Sequence, residues 1–326
     1  MTLKITTIPA RLNFRFPFRI AHGERTFTDV VFLKLEYNGF VAFGEATLPP
    51  YLPDRVEDII NFFAASGIVD LIDVANPEAT SDAIGEFVSG VMPAKAALDM
   101  ALWSLRSKLV DKKVQELLNV PNLHKCPHTY TIGVCSPDEF TEKLNHGMSS
   151  GFQFFKLKMD GIHDDEMLKT YRKYSDMPFA IDANQAWSDL EYAKNFCRKL
   201  ADSGCIMIEQ PFIKSDSNKT QELRSTLNIP VIADEACQGI TDIEGVGQAF
   251  DGINIKLQKC GGITEASRMI RQARSSNMQV LIGCMSESSV GCNAAEVLSP
   301  MCDWADLDGP WLVSNNTELM KSIGYN

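Results

Sequence analysis

The sequence of 326 residues predicts a modified (β/α)8-type barrel, similar to a TIM barrel, with an N-terminal α+β capping domain. Three observations support this fold class: a β-rich N-terminal segment, a helical segment after it, and eight short apolar runs that alternate with helical stretches in the rest of the chain. Alternating strands and helices indicate a parallel sheet, and eight such units are typical of a closed barrel. The length also suits a barrel of about 250 residues with one additional module.

The N-terminal segment combines strand and helix signals. Residues 3–16 are β-rich, and Asn38-Gly39 separates two further β-rich runs, which is a strong hairpin signal. Pro93 begins the clearest helical pattern, in which apolar residues recur at i, i+3 and i+4 spacing. The predicted parts are a capping domain at 1–116, a barrel at 117–308, and a C-terminal segment returning to the cap at 309–326.

The eight apolar runs recur at intervals of roughly 20 to 30 residues, as expected for successive strand–helix units. None of them is followed by the Gly-x-Gly-x-x-Gly pattern of a dinucleotide site, and the sequence has no P-loop, so nucleotide binding is not favoured. The runs are residues 129–134, 152–159, 178–182, 205–209, 230–234, 252–257, 279–283 and 304–307.

The composition argues against several classes of protein. The net charge of −11 and a pI near 5.0 disfavour nucleic acid and anionic membranes as partners, because like charges repel. No stretch reaches 18 continuous apolar residues and the N-terminus lacks a signal-peptide pattern, so we expect neither a membrane segment nor secretion. The nine cysteines form no Cys-x-x-Cys pair, which is typical of reduced thiols in a cytoplasmic protein.

Three consecutive barrel runs each finish on a carboxylate: Asp182, Glu209 and Asp234. Active sites of these barrels lie at the C-terminal ends of the strands, so we expect the three acids to converge. Converging carboxylates repel one another unless a cation sits between them, and oxygen-only ligands select a hard ion such as Mg²⁺. The sequence therefore predicts one Mg²⁺ site.

Lysines flank the predicted metal site on both sides. Lys156 and Lys158 are two residues apart on the second run and therefore share the inward face of the strand. Lys256 ends the sixth run, almost opposite Lys158 in an eight-stranded ring. A lone charged strand end is usually a helix cap or a solvated residue, but five charged strand ends in consecutive units are not explained in that way.

These strand ends together resemble the enolase superfamily, most closely its muconate-lactonising-enzyme-like subgroup. The resemblance extends over nearly the whole chain, including the α+β cap. Its motifs are Lys156-Leu157-Lys158, Asp182-Ala183-Asn184, Glu209-Gln210-Pro211, Ala233-Asp234-Glu235 and Asn254-Ile255-Lys256-Leu257 with Gly261-Gly262.

The resemblance implies a role for each motif residue. Asp182, Glu209 and Asp234 are the implied Mg²⁺ ligands, and the metal stabilises the ene-diolate formed when a proton is lost beside a carboxylate. The implied acid/base pair is Lys158 and Lys256, which allows removal on one face and return on the other, a 1,1-proton transfer. Lys156 is implied to neutralise the substrate carboxylate and to help keep Lys158 neutral. Asn184 and Glu235 are implied to support the metal ligands.

The substrate is read from other positions. Asp306-Leu307-Asp308 resembles the Asp-x-Asp of dipeptide epimerases, which holds the free α-ammonium group of the substrate. Arg25 resembles the arginine that binds a glutamate side chain in that group, and guanidinium suits a carboxylate. Thr131 and Ser286 complete the candidate substrate-binding set. The implied activity is epimerisation of the C-terminal residue of a dipeptide, with L-Ala-D/L-Glu favoured, in murein peptide metabolism.

Several alternatives stay open at this stage. The same scaffold and lysine pair serve an o-succinylbenzoate synthase-like dehydratase or a cycloisomerase, neither of which needs Asp306 and Asp308. A Schiff-base aldolase and a degenerate binding protein are more distant alternatives, and homo-oligomer formation is left open. Family members usually continue with a glycine-rich segment that returns to the cap, so the sequence ending at Asn326 predicts that this return is shortened or missing.

Overall fold

The computed structural model describes residues 2–21, 23–65, 67–121 and 126–325, which form a small antiparallel sheet and a large parallel sheet. The parallel sheet has eight strands in sequential order, and the antiparallel sheet has three. The predicted class, a (β/α)8-type barrel with an N-terminal α+β cap, is confirmed. Within the described residues, no helix combines the length and the apolar character needed to cross a membrane.

The cap begins with a three-stranded meander. The predicted turn at Asn38-Gly39 is confirmed: Tyr37 pairs with Phe40, and both turn residues have positive φ, 51° and 81°, as a two-residue hairpin requires. The first two strands also shift register between Asn13 and Phe18, and this irregularity lies just before the hairpin tip that reaches the barrel. The strands are β1 (Lys4–Ile20), β2 (Gly23–Tyr37) and β3 (Phe40–Leu48).

Helices cover one face of the cap sheet. The third helix has Pro93 in its first turn, as predicted, and its apolar positions are buried. It lies so close to β3 that a Cβ atom at Gly44 would be 1.8 Å from the carbonyl oxygen of Ala97, so Gly44 permits this contact. The helices are α1 (Val56–Ala64), α2 (Pro77–Phe87), α3 (Met92–Val110) and α4 (Val114–Leu117), with a short 3-10 turn at Val69–Leu71.

The barrel strands are short and buried, and each pairs with its neighbour in parallel. The first and last strands approach each other, since Thr129 N donates to Ala305 O (2.9 Å) and Ala305 N donates to Pro127 O (3.0 Å). The sheet is therefore nearly closed. Its strands are β4 (Tyr130–Ile132), β5 (Phe155–Lys158), β6 (Phe179–Asp182), β7 (Cys205–Glu209), β8 (Val231–Ala233), β9 (Gly252–Lys256), β10 (Gln279–Gly283) and β11 (Trp304–Asp306).

The helices between the strands pack their apolar faces on the sheet and form two large hydrophobic clusters with it. The local sequence favours the first turn of some of these helices. Ser136 and Glu139 form a capping box at the start of α5, and Pro137 is its first residue. They are α5 (Pro137–Ser149), α6 (Asp164–Tyr174), α7 (Leu190–Asp202), α8 (Ser217–Ser225), α9 (Ile243–Val246), α10 (Leu257–Cys260), α11 (Ile263–Ser275) and α12 (Ser289–Glu296), with 3-10 turns at Ile240–Asp242 and Ser299–Met301.

The segment after β11 contains α13 (Gly309–Leu312) and α14 (Asn316–Ile323) and packs against the cap. Ser314 N donates to Asn13 O at 2.8 Å, and Asn315 Nδ2 donates to Arg11 O at 2.9 Å. Met320 is buried in a cluster with cap residues. The return that was predicted to be shortened or missing is therefore present, because a short polar turn and one apolar helix face are enough to reach β1. The domain boundaries at 116/117 and 308/309 stay predictions.

Candidate active site

A cavity of about 290 Å³ lies at the carboxyl ends of the barrel strands, under the hairpin tip of the cap. A more open cleft of about 560 Å³ lies between α2, α3 and α11, but the predicted chemistry belongs to the smaller cavity. Nine predicted site residues line it from the barrel side: Thr131, Lys158, Asn184, Asp234, Glu235, Lys256, Ser286, Asp306 and Asp308. The cap contributes Phe18, Ile20, Arg25, Tyr51 and Leu52.

The three predicted metal ligands converge at the floor of this cavity. Asp182, Glu209 and Asp234 are buried, and one carboxylate oxygen from each lies within 4.8 Å of the other two. Asp182 and Glu209 are directly opposite each other on neighbouring strands, so strand register alone brings them together. The geometry matches the convergence that the strand ends predicted.

The oxygens around this triad fit a cation. Burial, and then the charge of Asp182, raises the pKa of Glu209 to about 7. Glu209 Oε2 lies 2.7 Å from Lys156 Nζ, whereas the buried Asn184 Oδ1 and Glu235 Oε2 receive no hydrogen bond within the described residues. Buried acceptors without donors are costly unless a ligand meets them. An all-oxygen set of this kind suits a hard divalent ion such as Mg²⁺.

Lys156 lies beneath the cavity rather than in its wall. Its buried ammonium group is 2.7 Å from Glu209 Oε2, 2.7 Å from Asp306 Oδ2 and 3.4 Å from Asp182 Oδ2. Burial lowers the pKa of Lys156, but the charges of Asp306, Glu209 and Asp182 outweigh it and hold this pKa well above its ordinary value. Lys156 is therefore a fixed charge that joins acids from three strands, and its predicted contact with a substrate carboxylate stays a prediction.

Lys158 and Lys256 line the cavity from opposite sides. They end β5 and β9, which have three strands between them in the eight-stranded order. Lys158 Nζ donates to Asp182 Oδ2 at 2.6 Å, and Lys256 Nζ donates to Asp234 Oδ2 at 2.6 Å. Burial lowers the pKa of Lys256, but the charges of Asp234 and Glu209 outweigh burial and hold this pKa well above its ordinary value. Each lysine is thus paired with a different predicted metal ligand.

Lys259 is part of the site and was missed by the sequence analysis. Its buried ammonium group donates to Asp234 Oδ1 at 2.6 Å, to Asp234 O at 2.8 Å, and to the carbonyl oxygens of Cys237 and Asn254, both at 2.9 Å. Lys259 lies on α10, one turn after the strand-end Lys256. A second lysine at that spacing is a weak signal, because a lysine in a short helix is usually solvated.

Asp306 and Asp308 face the cavity side by side but have different partners. Asp306 accepts hydrogen bonds from Lys156 (2.7 Å), Thr129 Oγ1 (2.5 Å) and Thr131 Oγ1 (3.1 Å), whereas Asp308 Oδ2 accepts one from Thr131 N at 2.5 Å. Burial raises the pKa of Asp306, but Lys156 and the hydrogen bonds lower it to about 2. Burial, and then the Asp306 charge, raises the pKa of Asp308 to about 7. Asp308 is therefore the acid that gains most from a cation.

Arg25 enters the cavity from the cap. Its guanidinium carbon lies 5.3 Å from the ring centroid of Phe14, 5.8 Å from that of Phe18 and 5.7 Å from that of Tyr51. Burial lowers the pKa of Arg25, and its buried Nη1 has no hydrogen-bond partner within the described residues. A desolvated guanidinium with a free donor is suited to an anionic group.

The loops that end at the cavity contain strained backbone. Asn184, Gln185, Gln210 and Ser286 have φ values of 43°, 67°, 35° and 64°, a region that residues other than glycine seldom adopt. Asn184 Nδ2 also donates to Glu235 Oε1 at 3.4 Å. Such residues often cluster at functional sites, where surrounding contacts hold them in place.

Two family profiles match the chain. The profile described as "Mandelate racemase / muconate lactonizing enzyme, N-terminal domain" matches residues 2–119, and the profile described as "Enolase C-terminal domain-like" matches residues 139–304. Together they span well over half of the sequence. The chain therefore belongs to the enolase superfamily, in its mandelate racemase and muconate-lactonizing-enzyme group, as the strand-end motifs predicted.

Curated relatives of the chain are epimerases, so the chain is an isomerase, as predicted, and it resembles dipeptide epimerases. An L-Ala-D/L-Glu epimerase of Bacteroides thetaiotaomicron is 38% identical over 319 residues, which cover 96% of this chain and 82% of the relative. An L-Ala-D/L-amino acid epimerase of Maribacter is 33% identical, with 96% and 92% covered. An L-Ala-D/L-Glu epimerase of Escherichia coli is 30% identical, with 91% and 90% covered.

Solved structures agree with this assignment. The L-Ala-D/L-Glu epimerase of Bacillus subtilis, in a complex with substrate, superposes with a TM-score of 0.87 at 26% identity, covering 97% of this chain and 92% of that one. A dipeptide epimerase of Enterococcus faecalis, in a complex with Mg and L-Leu-L-Tyr, has a TM-score of 0.86 at 25% identity, covering 96% and 92%.

Proposed function

We propose that this enzyme is a Mg²⁺-dependent dipeptide epimerase that inverts the α-carbon of the C-terminal residue, with L-Ala-D/L-Glu as the favoured substrate. The observation that carries the proposal is the placement of Lys158 and Lys256 on opposite sides of one cavity whose floor holds three converging carboxylates. A base on each face is what a 1,1-proton transfer needs. The relatives that bear the name epimerase support the same reaction.

Asp182, Glu209 and Asp234 are the proposed Mg²⁺ ligands, with Asn184 and Glu235 beside them. When bound, the ion stabilises the negative charge that develops on the substrate carboxylate as the α-proton leaves. The ligands Asp182 and Asp234 are also the ion-pair partners of Lys158 and Lys256. Engagement of these carboxylates by the ion would weaken both ion pairs and so free the two amines to act as bases.

The proton transfer follows from the positions of the two amines. Lys158 removes the α-proton of one epimer, which leaves a planar ene-diolate, and Lys256 donates a proton to the other face. The roles reverse for the opposite epimer. Burial of both lysines excludes water from the reacting carbon, so the proton returns from a side chain. Lys156 and Lys259 take no part in the proton transfer but hold the acids of the floor in place.

Asp306 and Asp308 are the proposed binding site for the α-ammonium group, supported by Thr131. Asp306 is engaged by Lys156, whereas the Asp308 carboxylate accepts from Thr131 N and pairs with no ammonium group in the described part of the chain. An ammonium group beside Asp308 favours its charged form, which burial disfavours. The site therefore recognises the free N-terminus of the substrate by its charge as well as by its shape.

The side chain of the C-terminal residue is proposed to contact Arg25 and Ser286, which line the same cavity. The unpaired Nη1 of Arg25 supports a carboxylate at this place, hence glutamate. We also propose that the enzyme acts in the cytoplasm, because the nine cysteines of the sequence are all free thiols. The proposed substrate, L-Ala-D/L-Glu, further suggests that it acts on peptides derived from murein.

Deuterium exchange tests this proposal. The protein is incubated with Mg²⁺ in D₂O and either L-Ala-D-Glu or L-Ala-L-Glu, and NMR follows the glutamate α-proton. We expect label at that carbon and formation of the other epimer. N-acetyl-L-Ala-L-Glu is the matched control, since it lacks the ammonium group, and its exchange should be much slower. Absence of label across a panel of dipeptides with acidic, basic and apolar C-terminal residues would contradict the proposal.

A further inference from the structure

A second cluster of buried acids lies outside the proposed machinery, where β3 of the cap meets the loop after β10. Its five polar side chains are buried, and none of them has a role in the proton transfer described above. Within the described residues, neither of its two carboxylates forms a salt bridge. The members are Glu45, Thr47, Gln258, Glu287 and Ser288.

Glu45 extends from the cap into the barrel. Its Oε1 accepts hydrogen bonds from Ser288 N (2.9 Å) and Thr47 Oγ1 (2.7 Å), and its Oε2 accepts from Ser288 Oγ (2.5 Å) and Gly291 N (2.9 Å). Three of these four donors belong to the barrel, at the N-terminus of α12. That end of a helix carries partial positive charge, which favours the charged form of Glu45, but burial outweighs it and raises the pKa of Glu45.

Glu287 closes the turn that forms part of the cavity wall. Its Oε1 accepts from Met285 N at 2.9 Å, across the left-handed Ser286, and Met285 and Ser286 both line the cavity. Its Oε2 accepts from Gln258 Nε2 at 3.0 Å, and the same nitrogen donates to Glu45 O at 2.9 Å. Gln258 therefore connects the cap strand to the cavity wall.

Two glycines show how tightly Glu287 is enclosed. A Cβ atom at Gly291 would lie 2.1 Å from Glu287 Oε2, and one at Gly309 would lie 2.1 Å from Glu287 O. Gly309 directly follows Asp308 of the proposed ammonium site. A displacement of Glu287 is thus transmitted both to the wall at Ser286 and to the residue beside Asp308.

We propose that Glu45 and Glu287 are positioning residues that join cap docking to the shape of the substrate pocket: Glu45 fixes the cap on α12, and Glu287 fixes the Met285–Ser286 turn. The inference rests on the proposed function for its kinetic consequences only. Burial, and then the charge of Glu45, raises the pKa of Glu287 to about 7. The titratable groups facing Glu287 among the described residues are Glu45 on β3, Lys256 on β9 and Cys292 on α12. Above pH 7 a negative charge therefore develops on Glu287 beside Glu45 and loosens the turn.

Hydrogen exchange of the segment 285–292 tests the positioning directly, without any substrate. Glu45→Gln keeps the shape of the side chain and removes its charge, and Glu36→Gln is the matched control, because Glu36 is a cap residue paired with Lys4 and Lys34 away from the barrel. We expect about tenfold faster exchange in Glu45→Gln, the size expected for loss of one charged hydrogen bond, and wild-type exchange in Glu36→Gln. Unchanged exchange in Glu45→Gln overturns the proposal.

Glu287→Gln supplies a readout that a purely structural role would not move. In the wild-type protein, exchange of segment 285–292 should accelerate as the pH rises from about 6 to about 8, through the raised value for Glu287, after correction for the intrinsic pH dependence of exchange. Glu287→Gln should abolish that excess acceleration, and persistence of it overturns the pH part of the proposal. If Glu45→Gln fails to fold, Ser288→Ala removes a single donor, and Ser288→Thr should restore the wild-type rate.

Kinetics then separate this inference from the proposed function. For Glu45→Gln we expect a KM for L-Ala-L-Glu raised about tenfold with a smaller change in kcat, because pocket shape rather than proton transfer is altered. An unchanged KM in a variant whose segment 285–292 exchanges faster overturns the link to the pocket. If the wild-type protein epimerises no dipeptide, the proposed function fails, while the exchange measurements still decide whether Glu45 and Glu287 hold the cap and the turn.

Discussion

Lys156 Nζ lies 2.7 Å from Asp306 Oδ2, so the lysine below the metal ligands and the first acid of the proposed ammonium site form one buried ion pair. The same nitrogen is 2.7 Å from Glu209. A single ammonium group therefore balances charge in both the proposed metal site and the proposed ammonium site, whose residues are far apart in the sequence. Removing Lys156 leaves buried carboxylates without their counter-ion, and this is costly in a protein interior.

Breaking this pair should destabilise the fold. We expect Lys156→Met to lower the free energy of unfolding by about 3 kcal/mol, the size typical of removing one partner of a buried pair, as measured by urea denaturation. The control is Asp165→Asn, which removes a solvent-exposed partner of Lys199 and should cost less than about 1 kcal/mol. Equal losses in the two variants would show that the burial of Lys156 carries no special energetic weight.

Each active-site lysine should serve one face of the substrate. Lys158→Met and Lys256→Met should each lower kcat at least about a hundredfold, the lower end for loss of a general acid or base. Each should also retain α-proton exchange for one epimer of Ala-Glu and lose it for the other. NMR in D₂O with the separate epimers measures this, and Lys199→Met on the exposed surface is the control. Exchange of both epimers at equal rates in either variant would contradict the two-base assignment.

Arg25 should determine preference for an acidic side chain. Arg25→Met is expected to lower kcat/KM for L-Ala-L-Glu about a hundredfold, since a charged hydrogen-bonded contact of roughly 2 to 3 kcal/mol is lost. The value for L-Ala-L-Leu should change far less. Arg25→Lys keeps the charge but not the two-pronged donors and should give an intermediate result. A uniform loss on both substrates would mean that Arg25 supports the cap rather than reading the side chain.

Asp99 provides a pH prediction far from the metal site. It is buried at the contact between α3 and α11 and accepts hydrogen bonds from Thr264 N (2.9 Å) and Thr264 Oγ1 (2.6 Å). Burial raises the pKa of Asp99 to about 7. An acid whose pKa is raised on folding contributes stability that is complete below its unfolded value, near 4, and is lost as the pH rises through about 7.

Asp99→Asn should remove that pH dependence. From pH 5 to pH 8 the melting temperature of the wild-type protein should fall more steeply than that of the variant. The corresponding change in the free energy of unfolding is a few kcal/mol at most, because one pKa unit corresponds to about 1.4 kcal/mol. Differential scanning calorimetry at several pH values measures the slopes. Asp82→Asn is the control: Asp82 is on the surface, and its ion pair with Arg268 lowers its pKa. Parallel slopes for Asp99→Asn and the wild type would contradict the argument.

The positions of the proposed metal ligands and bases could be predicted from the sequence because they depend on short-range rules. Each of Asp182, Glu209 and Asp234 ends or follows an apolar run, and parallel strands present their carboxyl ends on one side. Alternation along a strand assigns Lys158 and Lys156 to the inner face. Neither rule, however, tells how deep a side chain lies: Lys156 is fully buried beneath the cavity, whereas Lys158 lines it.

Lys259 and Glu45 could not be predicted in the same way. Lys259 reaches Asp234 because α10 directly follows β9, which lies next to β8 in the sheet, and a sequence pattern does not specify the direction of its side chain. Glu45 contacts Ser288 across 243 positions of the chain, so the contact exists only once the cap has docked on the barrel. The return of residues 314 and 315 to β1 depends on the same docking.

The sequence by itself determined the alternation of strands and helices, the position of the hairpin turn, and the order in which charged groups reach the end of the barrel. These features follow from local backbone preferences and from the two-residue period of a strand. The tertiary structure alone decided which oxygens pair with which ammonium groups, how deep each charge is buried, and how the cap contacts the cavity wall. Such outcomes depend on distances between residues far apart in the chain, and electrostatic and hydrogen-bond energies change over fractions of an ångström.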